Sequence, residues 1–591
     1  MLLILLILLG SSAILDQSGL DTVCSGDGYG IMAADDPAPG TAQAGRVEHS
    51  AFTILAPASP LVLLAQPLLA ELELYRGPVD GRFNDDVEGA VRTFQKRSGM
   101  ASDGRIDESL VSRLEFAGQA GRLVGRLDDL RSQQQQRARK ALASTAVTRT
   151  LLSGSVRLGV ADPTRNTESC LSSPTVPCLL LEATEAAKAI SRTHFRDWVL
   201  GEVVSVQART GSMARALSTA GLIEDPRLVI VALKRMVAAA AGADRIDVAQ
   251  ATAAMIPDAW VRTEARISIV WAYLRRGRVG RARGLATLIG DDIAGLEGEH
   301  PRVGMLVKLV GALIDGGSIS GATQALVRAN LLADTSGNGR DSDVAEPDAV
   351  DPDAIDIAAI AAGFARIGQT EGARQLLSTL DDDAYRESAL INAAHSRAIT
   401  GDLPGARGFA DSIQTPRFHL VALVWIAEAQ RDRGRQREAV SMLPDALRAS
   451  TQIGQGLNYV RSNTLSRITI LWATLGDTEQ AVNLARQISD DRVRSNTMWK
   501  FAAAAVPGEA GTGDLETLAS RETERVASTL DRAWVLANAA ATFAAVGRPS
   551  TARRLFDQGM SMTSAMMSPW GRAQALVKFA DVLQFLESPR Q

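Results

Sequence analysis

One unit is written three times between Ile355 and Leu447, and no other feature of this 591-residue chain constrains its fold as tightly. The segments GFARIGQTEGARQLLSTL from Gly363, HSRAITGDLPGARGFADSI from His395 and AEAQRDRGRQREAVSMLPDAL from Ala427 share one plan. A helical run rich in small residues ends at a glycine (Gly368, Gly401, Gly434), and a second run carries alanine five positions on (Ala373, Ala406, Ala439). Those glycines are 33 residues apart both times. Self-similarity at a fixed period of roughly 20–50 residues is the signature of a stacked repeat array. The glycine fits the position after a helix that needs a left-handed backbone, and the alanine fits the closest approach of two helices.

The same pair recurs at Gly211/Ala216, Gly277/Ala282, Gly317/Ala322, Gly476/Ala481 and Gly547/Ala552, while Gly242 fits with a two-residue slip to Ala249. Two intervals are long. The acidic stretch SGNGRDSDVAEPDAVDPDAID lengthens the connection before Gly368, and Gly511-Thr512-Gly513 reads as a degenerate turn before Gly547. Nine or ten helix pairs result, followed by a terminal helix from Trp570 to Leu586. Twelve residues beyond the glycine an apolar residue recurs (Ile223, Ile289, Leu380, Ile413, Ile488), usually followed by acidic or proline residues and an arginine. The acids suit the positive N-terminus of the next helix. For the arginines (Arg227, Arg386, Arg417, Arg492), pairing with nearby acids is the expected role and a row on one surface the alternative. Over roughly 180–586 the pattern resembles the tetratricopeptide repeat, without most of that family's aromatic positions or its closing proline; related α-solenoids are the alternative. The resemblance implies a curved stack whose concave face binds a protein or peptide partner.

The totals agree. At 591 residues several domains or an extended array are needed. Aromatics are only 4%, all eight tryptophans lie at or beyond Trp198, and alanine and leucine fill the core instead. A net charge of −4 argues against general nucleic-acid binding, which needs a basic face. The uncharged run Leu2–Leu15 spans roughly 20 Å as a helix, short of the ~30 Å hydrocarbon core. No integral membrane span is therefore expected, and a secretory signal over 1–15 fits better, with Ser11-Ser12-Ala13 as a cleavage site. No Lys or Arg precedes Arg46, so an uncleaved anchor, or a start further upstream, stays open. Cys24 follows Asp21-Thr22-Val23, a poor setting for lipid attachment. Cys170 and Cys178 enclose seven residues in a Ser/Thr/Pro-rich connection and are a candidate disulfide in an oxidising compartment, with two reduced thiols as the alternative.

Residues 16–60 are rich in Gly, Ala, Pro and Asp and read as a linker. Three helical runs follow: one from Leu61, one over Asp85–Ser98 and one over Asp107–Phe116, with a tight Gly77-Pro78-Val79-Asp80-Gly81 turn after the first. Gly81 should supply φ > 0, with Asp80 bracing the loop. Gln66 with Leu69, GPVDGRF at 77–83, AVRTFQ at 90–95, Gly99-Met100 and Asp103-Gly104 stand in the order and spacing of the three-helix peptidoglycan-binding domain, which this stretch resembles. Asn84 and Val87 depart from it, standing where the family favours glycine and threonine. The resemblance implies non-catalytic binding of peptidoglycan over 61–116. Tyr75, Asp80, Arg82 and Gln95 are the candidate contacts; in the structural alternative Asp80 and Gln95 brace loops, and Phe83 and Phe94 are core. Residues 117–178 read as a helical connector and a loop, the charged stretch over 117–147 being a connecting helix, with a short coiled coil as the weaker alternative.

A search for chemistry finds none. Glu387-Ser388 is similar to the Glu-Ser of lytic transglycosylases, but the accompanying motifs are missing. No cysteine has the Ser-x-Gly-Cys setting of L,D-transpeptidases. The histidines (His49, His194, His300, His395, His419) lack zinc-ligand spacing, and neither a Walker loop nor a Gly-x-Ser-x-Gly elbow appears. The expectation is an all-α chain: a small peptidoglycan-binding-like domain, then an α-solenoid over 179–590. It would act without catalysis, metal or cofactor in the periplasm or outside the cell, at the wall. The solenoid surface would bind a protein partner not named by the sequence. A wall hydrolase or transglycosylase with an unrecognised site, and a cytoplasmic scaffold, are the rival readings.

Overall fold

The computed structural model describes residues 59–152, 165–297, 299–315, 317–336, 352–453, 458–505 and 512–587. The expected signal segment, Cys24, nearly all of the 16–60 linker, His49, most of the acidic stretch before Gly368 and Gly511 lie outside them. Among the described residues every regular element is helical. None of these helices is long and apolar enough to cross a membrane. The chain forms two compact units, divided between Arg137 and Ala138.

The first unit holds α1 (Pro60–Glu71), α2 (Asp85–Arg97) and most of α3 (Glu108–Ala143). Proline opens α1, where its missing N–H costs nothing. Asn84 caps α2 by accepting from the backbone N–H of Val87 at 2.9 Å, and Val87 is fully buried. The two departures from the family pattern thus support each other. Leu69, Val91, Leu110 and Leu114 close the core. The helices expected over 107–116 and 117–147 are instead one helix of 36 residues, Glu108–Ala143. Nothing between them stops a helix, since each of Gly118, Gly121 and Gly125 costs only about 1 kcal/mol against alanine.

The second unit opens with α4 (Ala146–Leu152), α5 (Thr167–Ser172) and α6 (Val176–Lys188). Ten helix pairs follow. They are α7 (Thr193–Arg209) with α8 (Met213–Ala220), α9 (Pro226–Gly242) with α10 (Ile246–Met255), and α11 (Ala259–Arg275) with α12 (Val279–Ala294). Next come α13 (Glu299–Asp315) with α14 (Ile319–Ser336), α15 (Pro352–Arg366) with α16 (Thr370–Ser378), and α17 (Asp383–Thr400) with α18 (Leu403–Ala410). The last four are α19 (Pro416–Asp432) with α20 (Gln436–Thr451), α21 (Asn458–Thr474) with α22 (Thr478–Ala485), α23 (Asp491–Ala504) with α24 (Thr512–Arg525), and α25 (Thr529–Ala545) with α26 (Pro549–Ser564). A final helix, α27, spans Pro569–Glu587.

The eight turn glycines from Gly211 to Gly547 all take φ between 66° and 95°, the left-handed region. Gly242 does not: it is the last residue of α9, and the left-handed turn residue is Asp244 at φ 60°. Ala249 then stands five residues after the turn, like its counterparts, and the apparent slip disappears. All nine of these alanines are at most 1% exposed. Ile223, Ile289, Leu380, Ile413 and Ile488 are buried as well.

The repeats are bolted together by a recurring polar joint. The buried carboxylate of Asp197 in α7 accepts from the backbone N–H groups of Glu224 and Asp225 at the start of α9. Glu387 in α17 does the same for Gln414 and Thr415 at the start of α19, at 2.8 and 2.9 Å. Arginines near the turns cap the previous repeat: Arg397 donates to the Ala365 carbonyl and Arg433 to that of Ile399. Among the arginines singled out in the sequence, Arg227 pairs with Asp225, Arg386 with Asp383 and Arg492 with Asp531, while Arg417 lies over the Phe418 ring.

The array does not stay open. Each first helix of a pair packs on the first helix of the next, from α7 through α25 to α27, and α27 packs on α7. Its partner is α6, which fills the place of a second helix beside it. An eleventh pair is thus assembled from the two ends of the unit. Phe195 meets Trp570 at 5.7 Å between ring centroids, and Arg209 binds Asp581 at 2.6 Å. The helix from Trp570 to Leu586, expected to end a stack, instead shuts a ring.

Candidate functional site

Two loops of the small unit are built from the same parts. Gln66 on α1 is fully buried, and its carbonyl oxygen accepts from the N–H of Gly81 at 2.8 Å. Its amide nitrogen donates to the Asp80 carboxylate at 3.2 Å and to the Arg82 carbonyl at 3.2 Å. Gln95 on α2 repeats this: its oxygen accepts from Gly104 N–H at 2.9 Å, and its nitrogen donates to Asp103 at 2.7 Å and to the Arg105 carbonyl. Each loop reads Asp-Gly-Arg, with φ 73° at Gly81 and 74° at Gly104. In each, the aspartate also accepts from the arginine's own N–H. That bond, followed by the one from the glutamine, holds Asp80 and Asp103 below the ordinary carboxylate value.

Tyr75, Asp80 and Arg82 therefore come together around Gln66, while Gln95 belongs to the second loop with Asp103. Tyr75 is buried, its hydroxyl donating to the Pro78 carbonyl at 2.9 Å, and a Cβ on Gly77 would fall 2.4 Å from that hydroxyl. Both polar atoms of Gln95 and one carboxylate oxygen of Asp80 are committed to the loops, while Asp80 itself stays exposed. Arg82 is half-buried, and Val79 and Phe83 in the same loop are 51% and 39% exposed. Phe94 is core; Phe83 is not. Gln66 carries the first loop, whereas the sequence marks it only as a motif position. The signal that singles it out is the second Asp-Gly-Arg with its own glutamine.

In the ring, Cys170 and Cys178 are joined as a disulfide between α5 and the first turn of α6, with Cα atoms 5.8 Å apart. Glu387 is 5% exposed and occupied by the α19 joint. Among the described residues no three His, Cys, Asp or Glu side chains converge as a metal site.

The inner wall is formed by the first helices, which adjoin one another all round, with the second helices outside them. In α7, Trp198, Glu202 and Arg209 are partly exposed between buried neighbours; in α19 the same holds for Val421, Trp425 and Glu428. These positions lie thirteen, nine, six or two residues before the turn, one stripe of a helix. Neighbouring stripes are linked by polar pairs: Arg235–Glu202 at 2.6 Å, Lys234–Glu264 at 2.9 Å with Lys308 on the same carboxylate, Arg467–Glu428 and Asn538–Asn496. Arg467 lies over the Trp425 ring at 5.7 Å, and His395 faces the same ring at 4.8 Å. Burial, aided by Arg467, pushes His395 down to about 4.

No curated protein matches the sequence. Eleven chains of solved structures match, two of them as follows. One is the crystal structure of Ton1535 from Thermococcus onnurineus NA1, at 13% identity and TM-score 0.24, covering 64% of this chain and 97% of that one. The other is a circular tandem repeat protein with novel repeat topology and enhanced subunit contact surfaces, at 13% identity and TM-score 0.16, covering 90% and 97%. Residues 58–114, in the small unit, match the family model described as "Putative peptidoglycan binding domain".

Proposed function

We propose that this chain is a non-catalytic protein of the cell envelope, periplasmic or secreted, that holds peptidoglycan with its small unit and a protein partner with the outer surface of its tetratricopeptide-like ring. The observation that carries the reading is the doubly braced three-helix unit within residues 58–114, which match the peptidoglycan-binding family. Its two loops are fixed by buried glutamines, so the surface around Arg82 and Phe83 is pre-organised and loses little entropy on binding. Two weak sites on one chain then raise each other's effective concentration at the wall. The engagement of Glu387 in a backbone joint supports a role without hydrolysis.

Sedimentation of the full chain with purified sacculi tests this. The chain should pellet with the wall, and Arg82→Ala with Phe83→Ala should leave it in the supernatant. A wild-type chain that stays soluble sinks the proposal. Zymography addresses the rival: a clearing band lost in Glu387→Gln would make the protein a hydrolase.

A further inference from the structure

The closed ring leaves an interior that the wall-binding unit does not explain. Eleven first helices spaced by about 8–10 Å have their axes on a circle roughly 30–35 Å across, which leaves an opening of about 20 Å once helix width is subtracted. Four of the eight tryptophans of the chain stand on the stripe that faces it. Trp198 and Trp534 lie thirteen residues before their turns, Trp425 nine and Trp271 six, and each is half-buried. They come from α7, α25, α19 and α11, so partly exposed indoles recur around the wall, that of Trp425 flanked by Arg467 and His395. Trp499, a core tryptophan of the same unit, is 1% exposed, whereas these four keep part of their surface open.

Between the indoles the wall is polar but not of one sign. Glu202, Glu264 and Glu428 alternate with Arg235, Lys308 and Arg467, and these are paired across adjacent helices. A nucleic acid or a strongly acidic chain would call for a surplus of cations. Apolar ring faces set among fixed donors and acceptors of both signs suit a neutral, hydroxyl- and amide-rich polymer with apolar faces of its own. That description is a glycan strand. We propose that the interior of the ring is a second carbohydrate site, which takes a single extended glycan strand along the tryptophan-bearing wall. The identification with wall glycan rests on the reading of the small unit as a wall binder.

All eight tryptophans lie at or beyond Trp198, so the small unit contributes no tryptophan emission and the ring reports alone. Full-length protein is titrated with soluble, peptide-free glycan strands released from sacculi by amidase, with emission as the readout. A saturable change is expected. Trp271→Phe with Trp425→Phe should at least halve its amplitude and weaken affinity about tenfold, as loss of two stacking faces implies. Trp472→Phe, off that stripe, should leave both unchanged, and far-UV circular dichroism confirms that each variant is folded. The Arg82→Ala, Phe83→Ala chain should keep the emission response while losing sacculus binding, which separates failure of one site from failure of the other. Three outcomes overturn the proposal: no emission change with glycan, an equal response in the double tryptophan variant, or a response to extended peptides but not to glycan strands.

Discussion

In the small unit two buried glutamines fix the two loops, each tying one Asp-Gly-Arg to a helix through several bonds. In the ring no side chain has that standing. Nine buried alanines set the helix spacing, eight left-handed glycines set the turns, and one kind of carboxylate joint is made both by Asp197 and by Glu387. A unit of some 55 residues has a small core and little stability in reserve, so single polar groups become decisive. A ring of eleven pairs spreads the same work over neighbours that resemble one another. The contrast predicts where single substitutions are felt and how far they spread.

The largest effect should come from Gln66→Ala. It leaves the Gly81 N–H buried without an acceptor and empties a packed position, at a cost of about 4 kcal/mol. Hydrogen exchange should show residues 60–114 opening while the ring's protection is unchanged; spread of the effect into the ring would break the contrast. Next is His395, which binds its proton more weakly folded, near 4, than unfolded, near 6.5. Its contribution is complete above pH 6.5 and is lost as pH falls toward 4, by up to about 3 kcal/mol. Its neighbours Arg467, Glu428, Arg366 and Asp432 set the local field. His395→Gln should flatten that part of the stability–pH curve relative to wild type in denaturant titrations.

Ala406→Leu forces α18 away from α17 and should destabilise the ring by about 2 kcal/mol, read as a lowered melting temperature with sacculus binding intact. The smallest effect, about 1 kcal/mol, is expected for Gly401→Ala, whose φ of 92° disfavours any side chain. There the Arg433 side chain, 2.6 Å from the new Cβ, can move aside.

The turns were legible because a left-handed residue and a close helix crossing each tolerate few amino acids, so glycine and alanine mark them directly. Asp244 escaped because aspartate also adopts that conformation, and Gly242 nearby drew the reading to itself. The glutamine braces were half legible: the motif located Gln66 and Gln95, but buried amides look like surface ones in a sequence. Nor could closure be read. It depends on small rotations summed over many pairs, and on α6 and α27, whose residues carry no mark that they are each other's partners. The inner stripe shares that blindness, since a half-exposed tryptophan and a core tryptophan are written alike.

Closure also sets a timetable. Lys188, the end of α6, precedes Pro569, the start of its partner, by 381 residues. At roughly 5–20 residues per second, ribosomes take some 20–75 s to cover that interval. Throughout it Val176, Leu179 and Leu180, buried in the finished ring, have no α27 to cover them. Any shortening of the chain at its C-terminus therefore uncovers an element near the start of the ring, nearly four hundred residues away.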